Sequence, residues 1–149
     1  MKLVKGDMFA DYPKMGVCYF ATTNAVVKKN GELVMGKGNA LELAKREPWL
    51  PKRMGDSLKG LVAPWTYHGR IFKQTDYWVG CFQTKHHWKD KSDIELINSG
   101  VEKLRKIGAA YPDITFYLPF PGIGNGGLKR EDVLPLLQGL PDNVIVWER

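Results

Sequence analysis

The chain has 149 residues, of which 44% are hydrophobic and 26% charged, and it carries a formal net charge of +6. This length and composition predict one soluble globular domain, residues 1–149, that buries its own core without disulfide staples. No apolar run approaches a membrane span, and the start MKLVKGDMF lacks the apolar region of a signal peptide, so we expect a cytoplasmic protein with no membrane partner.

Six short segments rich in Val, Ile, Tyr, Phe and Trp are predicted to be strands. In chain order they are KLVKG (2–6), VCYFATT (17–23), LVAPWTY (61–67), YWVGCFQ (77–83), ITFYLPF (114–120) and NVIVWE (143–148). Several are apolar on both alternating sets of residues, which indicates burial on both faces of a sheet. Cys18 and Cys81 lie within two of these segments and are predicted to be reduced core residues.

Three helical segments lie between the predicted strands. They are GNALELAKRE (38–47), SDIELINSGVEKLRKIGAAY (92–111) and REDVLPLLQGL (130–140). The second is predicted to open with a capping box of Ser92 and Glu95, and its apolar residues recur at helical spacing. The alternation of strands and helices predicts the α/β class: a three-layer α/β/α domain around a central mixed, mostly parallel sheet of about six strands.

A first glycine-rich turn, VMGKGNALELA (34–44), leads directly into a helix. Gly36 and Gly38 flank Lys37 there. Glycines let the backbone approach a ligand, and a helix N-terminus offers free N–H groups to an anion. The spacing matches neither a Walker loop nor G-x-G-x-x-G, so on its own the motif favours a simple turn.

A second glycine-rich loop, LPFPGIGNGGL (118–128), follows a predicted strand and precedes a helix. Such a loop can surround a diphosphate with backbone N–H donors. Two loops of this kind in one small α/β domain favour phosphate binding, because ligands of such folds bind at the carboxyl ends of the strands. The residues predicted to contact a ligand here are Gly122, Ile123, Gly124, Asn125, Gly126 and Gly127.

Two polar side chains follow predicted strands. Asp7, in KGDMF, can accept a hydrogen bond from an amino group such as that of adenine, although a simple turn is the commoner role. Asn24, in TTN, can bond ribose hydroxyls or cap a turn.

Taken in order, these motifs resemble the macrodomain family, an α/β/α module that binds ADP-ribose. By this resemblance Asp7 and Met8 contact adenine, Asn24 contacts a ribose, and the two glycine loops hold the diphosphate. VMGKGNALELAKREP and QTKHHWKDKSDIELI are similar to the DNA ADP-ribosyl glycohydrolase (DarG-like) branch and to the small standalone macrodomains of bacteriophages. The resemblance spans nearly the whole chain.

The stretch QTKHHWKDKS (83–92) is compatible with a solvated loop, a metal site, a nucleic-acid contact or a reactive lysine. A metal site is disfavoured because His86 and His87 are adjacent, so they point to opposite sides, and no Cys or carboxylate cluster completes the ligand set. We therefore expect no metal and no cofactor. A neutral lysine where a strand ends beside a ligand cleft is a nucleophile for a sugar carbon.

The resemblance selects Lys85 as the catalytic lysine, because it follows the threonine at the strand end. It implies attack on, or proton exchange at, the distal ribose C1″. The ADP-ribose that is released was linked to thymine or to a carboxylate. One departure weakens the carboxylate alternative: the second loop has no Asp before Leu128, and Asp132 is predicted to lie at a helix start.

The same stretch also suggests contact with single-stranded nucleic acid. A tryptophan can stack on a base and lysines can pair with phosphates, although packing of Trp88 against the following helix is an equal alternative. The predicted contact residues are His86, His87, Trp88 and Lys89.

The leading hypothesis is a monomeric glycohydrolase that removes ADP-ribose from thymidine in single-stranded DNA. Its partners are ADP-ribose or an ADP-ribosylated substrate. The alternatives are a module that binds ADP-ribose or a related nucleotide signal without cleaving it, or a hydrolase of ADP-ribose 1″-phosphate or protein-linked ADP-ribose. A nucleic-acid binder with no nucleotide pocket is disfavoured because it leaves the two glycine loops unexplained.

Overall fold

The computed structural model describes residues 1–59 and 67–149, and in these ranges one six-stranded sheet forms the centre of the molecule. Its strands are β1 (Lys2–Lys5), β2 (Val17–Thr23), β3 (Arg70–Lys73), β4 (Trp78–Gln83), β5 (Thr115–Pro119) and β6 (Val144–Glu148). They lie in the order β1-β6-β5-β2-β4-β3. Among the strands of the described ranges only the β3–β4 pair is antiparallel, which confirms a mixed, mostly parallel sheet.

Helices cover both faces of the sheet. They are α1 (Gly38–Arg46), α2 (Leu50–Leu58), α3 (Ile94–Ala110) and α4 (Arg130–Leu137). Leu43 of α1 and Met54 of α2 pack in one core, and Ile97 of α3 and Val133 of α4 pack in the other. This arrangement confirms the three-layer prediction. No helix in the described ranges is long and apolar enough to cross a membrane.

The central strand β2 contributes to both cores. Tyr19 and Ala21 pack beneath α1 and α2, whereas Cys18 and Phe20 pack beneath α3 and α4. This alternation confirms that the apolar strands are buried on both faces. Cys18 and Cys81 are buried and unpaired, and burial raises the pKa of both thiols, so the prediction of reduced core cysteines is confirmed.

Two elements were not predicted from the sequence. Strand β3 is a short, partly exposed edge strand, RIFK, whose hydrophobic pattern is too brief to recognise. Helix α2, LPKRMGDSL, contains Pro51 and Gly55, which are poor helix formers; the proline lies in the first turn, where its missing N–H costs nothing. The predicted strand LVAPWTY falls in 61–67 and, apart from Tyr67, lies outside the described residues.

The predicted capping box of α3 is wrong by one residue. Asp93 is the N-cap, and its Oδ1 accepts a hydrogen bond from the Glu95 amide at 2.9 Å. Ser92 is not available for this role, because its amide donates to the Gly126 carbonyl at 2.8 Å and its side chain is buried. Tertiary packing of Ser92 therefore moves the helix start to the next residue.

Candidate functional site

A cleft of about 520 Å³ opens at the carboxyl ends of β2, β4 and β5. Strand β2 leads to α1 on one face and β4 leads to α3 on the other, so the two connections diverge and leave a crevice. The predicted site residues that line it are Asn24, Gly36, Lys37, Gly38, Lys85, Trp88, Lys89, Gly122, Ile123, Asn125 and Gly126. Three segments form its walls: the first glycine loop (residues 34–38), the post-β4 segment (84–93) and the second glycine loop (122–128).

Asp7 and Met8 do not line the cleft. The Asp7 carboxylate accepts hydrogen bonds from the Phe9 amide at 2.9 Å and from the Arg149 guanidinium at 3.4 Å. Met8 is buried in the core beneath α1. In this structure Asp7 therefore has the turn-capping role that the sequence also allowed.

Asn24 lines the cleft, and its amide group is already engaged by the backbone. Its Oδ1 accepts from the Val26 amide at 2.9 Å, and its Nδ2 donates to the Val34 carbonyl at 3.0 Å. These bonds tie the end of β2 to the start of the first glycine loop. Asn24 thus shapes the wall, and a second Nδ2 hydrogen is left for a ligand.

The first glycine loop presents the start of α1 to the cleft. Lys37 occupies the N-cap position but makes no side-chain cap bond, so N–H groups of the first helical turn are left for an anion. Gly38 has a φ of 58°, a left-handed conformation that side chains disfavour. Leu33 and Met35 are buried and anchor the loop to the core.

The second glycine loop is a tight turn built on three left-handed glycines. Gly122, Gly124 and Gly127 have φ values of 82°, 64° and 72°. The amides of Gly126, Gly127 and Leu128 donate to carbonyls within the loop. None of these bonds uses the amide of Ile123 or Gly124. Although Gly124 and Gly127 do not line the cleft, they give the loop its shape.

Lys85 lies where the post-β4 segment meets the second glycine loop. Its Nζ donates to the Asn125 carbonyl at 3.2 Å and is 3.4 Å from the Trp88 carbonyl. The buried Gln83 side chain fixes the backbone beneath it by donating to the Lys85 carbonyl at 2.9 Å. The lysine is half-buried, with its amine directed across the cleft.

His86 holds the post-β4 segment to the start of α3. Its Nε2 lies 2.9 Å from Asp93 Oδ2, and this hydrogen bond lowers the pKa of the Asp93 carboxyl. His86 does not line the cleft. Its ring nitrogen is used for this internal contact, so in this structure it supports the segment.

Trp88 projects from the rim of the cleft and is 48% exposed. The His87 ring lies against it with centroids 5.2 Å apart, and Lys89 Nζ is 5.1 Å from its ring centroid. The sequence allowed Trp88 either to be exposed for stacking on a base or to pack against the following helix, and in the structure it is exposed. The result is an aromatic surface with a cation beside it.

Asn39 is a cleft residue that the sequence analysis did not single out. Its Oδ1 accepts from the Thr22 amide at 2.8 Å and from Thr22 Oγ1 at 3.2 Å. Because the Thr22 amide N–H needs an acceptor, the Asn39 side chain must turn its oxygen toward Thr22. Its Nδ2 group is therefore the donor on the other branch of the amide. The available signal was its position, since a polar residue directly after G-K-G at a helix start lies next to the preceding strand end.

Thr23 and Ser92 also line the cleft and were missed as site residues. Both are buried, and neither hydroxyl has a hydrogen-bond partner among the described residues.

Asp132 lies in the first turn of α4, as predicted, and away from the cleft wall. In residues 1–59 and 67–149 no group of three or more His, Cys, Asp and Glu side chains could hold a metal ion.

Comparisons by sequence and by structure find known proteins of the same kind. No protein-family model matches the chain. A "DNA ADP-ribosyl glycohydrolase" of Mycobacterium bovis is 33% identical over 134 residues, covering 82% of this chain and 37% of the relative. The chain thus spans well under half the length of the curated relatives it matches.

Two solved structures extend the comparison to the fold. The macrodomain of Mycobacterium tuberculosis DarG superposes with a TM-score of 0.74 at 27% identity, covering 99% of this chain and 97% of that one. Thermosipho africanus DarTG in complex with ADP-ribose gives a TM-score of 0.76 at 26% identity, covering 98% of this chain and 41% of that one.

Proposed function

The chain is a macrodomain of the DarG-like branch, and we propose that it is an ADP-ribosyl glycohydrolase that removes ADP-ribose from thymidine in single-stranded DNA. The activity is supported by the relative named DNA ADP-ribosyl glycohydrolase, and the ligand by the neighbour solved with ADP-ribose. The thymidine, the single strand and the roles of individual residues are our own proposals.

One observation carries the proposal: both glycine loops and Lys85 line the same cleft. The lysine amine lies 3.2 Å from the Asn125 carbonyl, within the loop that we assign to the diphosphate. An ADP-ribose held by its diphosphate would have its distal ribose next to that amine. A cleft of about 520 Å³ is within the size range of small-molecule sites.

The diphosphate and the riboses of ADP-ribose have matching groups in the cleft. N–H groups at the start of α1 and in the second glycine loop suit the diphosphate, because they are donors that an anion can use. The Nδ2 groups of Asn39 and Asn24 suit ribose hydroxyls. Asp7 and Met8 do not line the cleft, so their contact with adenine stays a prediction from the family resemblance.

The proposed reaction breaks the bond between the distal ribose C1″ and the thymine base. The base leaves with the bonding electrons and takes up a proton. C1″ is captured either by the Lys85 amine, in an adduct that water then cleaves, or directly by water that gives up a proton to the amine. Both routes consume one water molecule and yield free ADP-ribose and intact thymidine.

The rim of the cleft suits a single strand. Trp88 offers an exposed ring for base stacking, and Lys89 and Lys91 offer charges for the flanking phosphates. His87 supports one side of the tryptophan ring. A base still paired in a duplex could not reach Lys85 without leaving the stack, which favours a single-stranded substrate.

The proposal is tested by offering the protein one leaving group at a time. We would compare ADP-ribose linked to thymidine in a single-stranded oligonucleotide, ADP-ribose linked to a glutamate-containing peptide, and ADP-ribose 1″-phosphate. We expect the fastest release of ADP-ribose from the oligonucleotide. Faster release from the peptide or the phosphate would replace the proposed substrate with the one that is cleaved.

A binding module that does not cleave ADP-ribose is the second candidate. It is favoured by the carbonyls of Trp88 and Asn125, both of which lie within hydrogen-bond distance of the Lys85 amine. Tight binding of ADP-ribose with no release from any of the three substrates would establish this candidate.

A further inference from the structure

Ser92 joins the post-β4 segment to the second glycine loop. Its amide donates to the Gly126 carbonyl at 2.8 Å, and its side chain lies beneath the same residue. The Ser92 hydroxyl is buried and has no hydrogen-bond partner in the described part of the chain. An unpaired buried hydroxyl costs stability, so an alanine would be more favourable here on stability alone.

Helix capping does not explain the serine either. Asp93 accepts the hydrogen bond at the start of α3, and it also pairs with His86. A serine that neither caps the helix nor makes a side-chain hydrogen bond to any described residue calls for another explanation, and its contact with Gly126 supplies one.

Gly126 is a glycine because of Ser92, and not because of its own backbone conformation. It is absent from the left-handed glycines of this loop, which are Gly122, Gly124 and Gly127. A methyl group at position 126 would overlap Ser92 Oγ and lie 3.2 Å from Ser92 Cβ. The small residue therefore lets the loop approach the serine closely.

The neighbouring residue of the loop contacts the lysine. Asn125 accepts from Lys85 Nζ at 3.2 Å, and the next residue, Gly126, accepts from the Ser92 amide at 2.8 Å. Both contacts run between the same two walls of the cleft. The Ser92–Gly126 contact therefore sets how far the second glycine loop stands from Lys85.

We propose that Ser92 is a positioning residue for the reaction, acting through Gly126 to hold the diphosphate loop at its working distance from Lys85. This inference rests on the proposed function of the cleft. Catalysis is sensitive to this distance, because displacement of a bound substrate by about 1 Å can slow a reaction by two orders of magnitude.

The test is a double-mutant cycle of Gly126→Ala and Ser92→Ala. Gly126→Ala is expected to lower kcat/KM for the modified oligonucleotide by about tenfold or more, because the added methyl pushes the loop off the serine. Ser92→Ala removes the nearer obstacle, so the double variant should recover much of that loss. Ser92→Ala alone should lower kcat about threefold, with an unchanged or raised melting temperature.

The matched control is Gly139→Ala. Gly139 lies after α4, has an ordinary φ and has open space where a methyl would be added. It should leave kcat, KM and the melting temperature close to those of the wild type. Melting temperatures of all variants separate loss of fold from loss of position.

Two outcomes would overturn the inference. The first is a double variant no more active than Gly126→Ala, because the two sites would then act independently. The second is a parallel loss of stability and activity in Ser92→Ala, which would make the serine a structural residue.

If the wild type fails to release ADP-ribose from the oligonucleotide, the proposed reaction is wrong, and the same cycle is read from the Kd of free ADP-ribose. There Gly126→Ala should weaken binding and the double variant should restore it. Failure of the wild type to bind ADP-ribose would overturn both proposals.

Discussion

Trp88 has the surroundings of a base-stacking side chain. It is 48% exposed at the rim of the cleft, and its own backbone carbonyl contacts Lys85. Its ring is supported by His87 and lies beside Lys89, so it is held in place without being covered. In the proposed substrate, a base adjacent to the modified thymidine is the part that this ring would reach.

Trp88→Ala is expected to raise KM for the modified oligonucleotide by about 5- to 150-fold, since stacking of a base on an aromatic ring contributes about 1–3 kcal/mol. The Kd of free ADP-ribose should change little, because that ligand has no flanking base. Trp88→Phe should retain most of the affinity. An equal loss of affinity for both ligands would place Trp88 in the nucleotide pocket instead.

Tyr111→Ala is a matched control for this experiment. Tyr111 is also an exposed aromatic residue, packed against Trp78 with Lys73 Nζ 4.3 Å from its ring centroid. It lies outside the cleft and should leave the KM of the oligonucleotide unchanged.

The post-β4 segment and the start of α3 form one unit through His86 and Asp93. Their side chains are 2.9 Å apart, and this hydrogen bond lowers the pKa of the Asp93 carboxyl. A carboxyl with a lowered pKa in the folded state adds stability above its ordinary pKa of about 4, and this stability is lost as the pH falls through the lowered value.

The unit predicts a defined dependence of stability on pH. Asp93→Asn keeps an N-cap side chain but removes the charge. The variant should be less stable than the wild type near neutral pH, and the difference should shrink below about pH 4. Thermal unfolding from pH 3 to 7 measures this. Asp113→Asn, at an exposed turn, should follow the wild type, and a constant difference for Asp93→Asn would contradict a stabilising role of the Asp93 charge.

Helix α2 fixes the segment that leads into the first glycine loop. The Leu33 amide donates to the Pro51 carbonyl at 2.9 Å, and Gly55 packs directly against the Gly31 backbone. A methyl group at position 55 would overlap the Gly31 carbonyl, which belongs to a backbone that cannot rotate aside.

Gly55→Ala should therefore lower the free energy of unfolding by about 1–3 kcal/mol, as overpacked cores do. This expectation opposes helix propensity, which favours alanine over glycine by about 1 kcal/mol. Urea denaturation measures the difference. A stabilised variant would contradict the close packing of α2 on residue 31.

The sequence predicted well those elements whose burial is indicated by the pattern of apolar residues within the element itself. Strand β2 begins and ends where its apolar run does, and α1 begins at Gly38 after the glycine turn. By contrast, β3 and α2 have short or mixed patterns and depend on their neighbours for stability.

The site was predictable in its loops and less so in its polar contacts. The two glycine loops were recognised from their glycine content between a strand and a helix, and Lys85 was selected by the resemblance to the macrodomain family. The roles of Ser92 and Asn39 depend on contacts with Gly126 and Thr22, which lie 34 and 17 positions away in sequence. No local pattern encodes such contacts. The contact of Ser92 with Gly126 is also why the predicted cap, Ser92, was wrong and the observed N-cap of α3 is Asp93.

Viewed as a whole, the molecule combines a net charge of +6 with lysines around the cleft. Lys85 and Lys89 line it, and Lys91 packs along Gly127 of the second glycine loop. These charges lie on the side where a strand carrying the modified base would approach. Binding of single-stranded DNA should therefore depend on counterion release.

Affinity for an unmodified single-stranded oligonucleotide should fall about 20-fold between 50 and 200 mM salt if three phosphates are contacted. Lys89→Ala combined with Lys91→Ala should reduce this dependence. Lys45→Ala combined with Lys106→Ala changes the net charge equally at exposed positions of α1 and α3 and should leave it nearly intact. Equal effects of the two pairs would indicate a response to net charge alone.

Catalysis by Lys85 is tested by comparing the wild type with Lys85→Ala in the release of ADP-ribose from a thymidine-ADP-ribosylated single-stranded oligonucleotide. Both proteins should bind free ADP-ribose with similar affinity, because the loops that we propose to hold the diphosphate are unchanged. We predict turnover by the wild type and a loss of at least about 100-fold in kcat for the variant. Undiminished turnover by Lys85→Ala would rule out a catalytic role of the lysine.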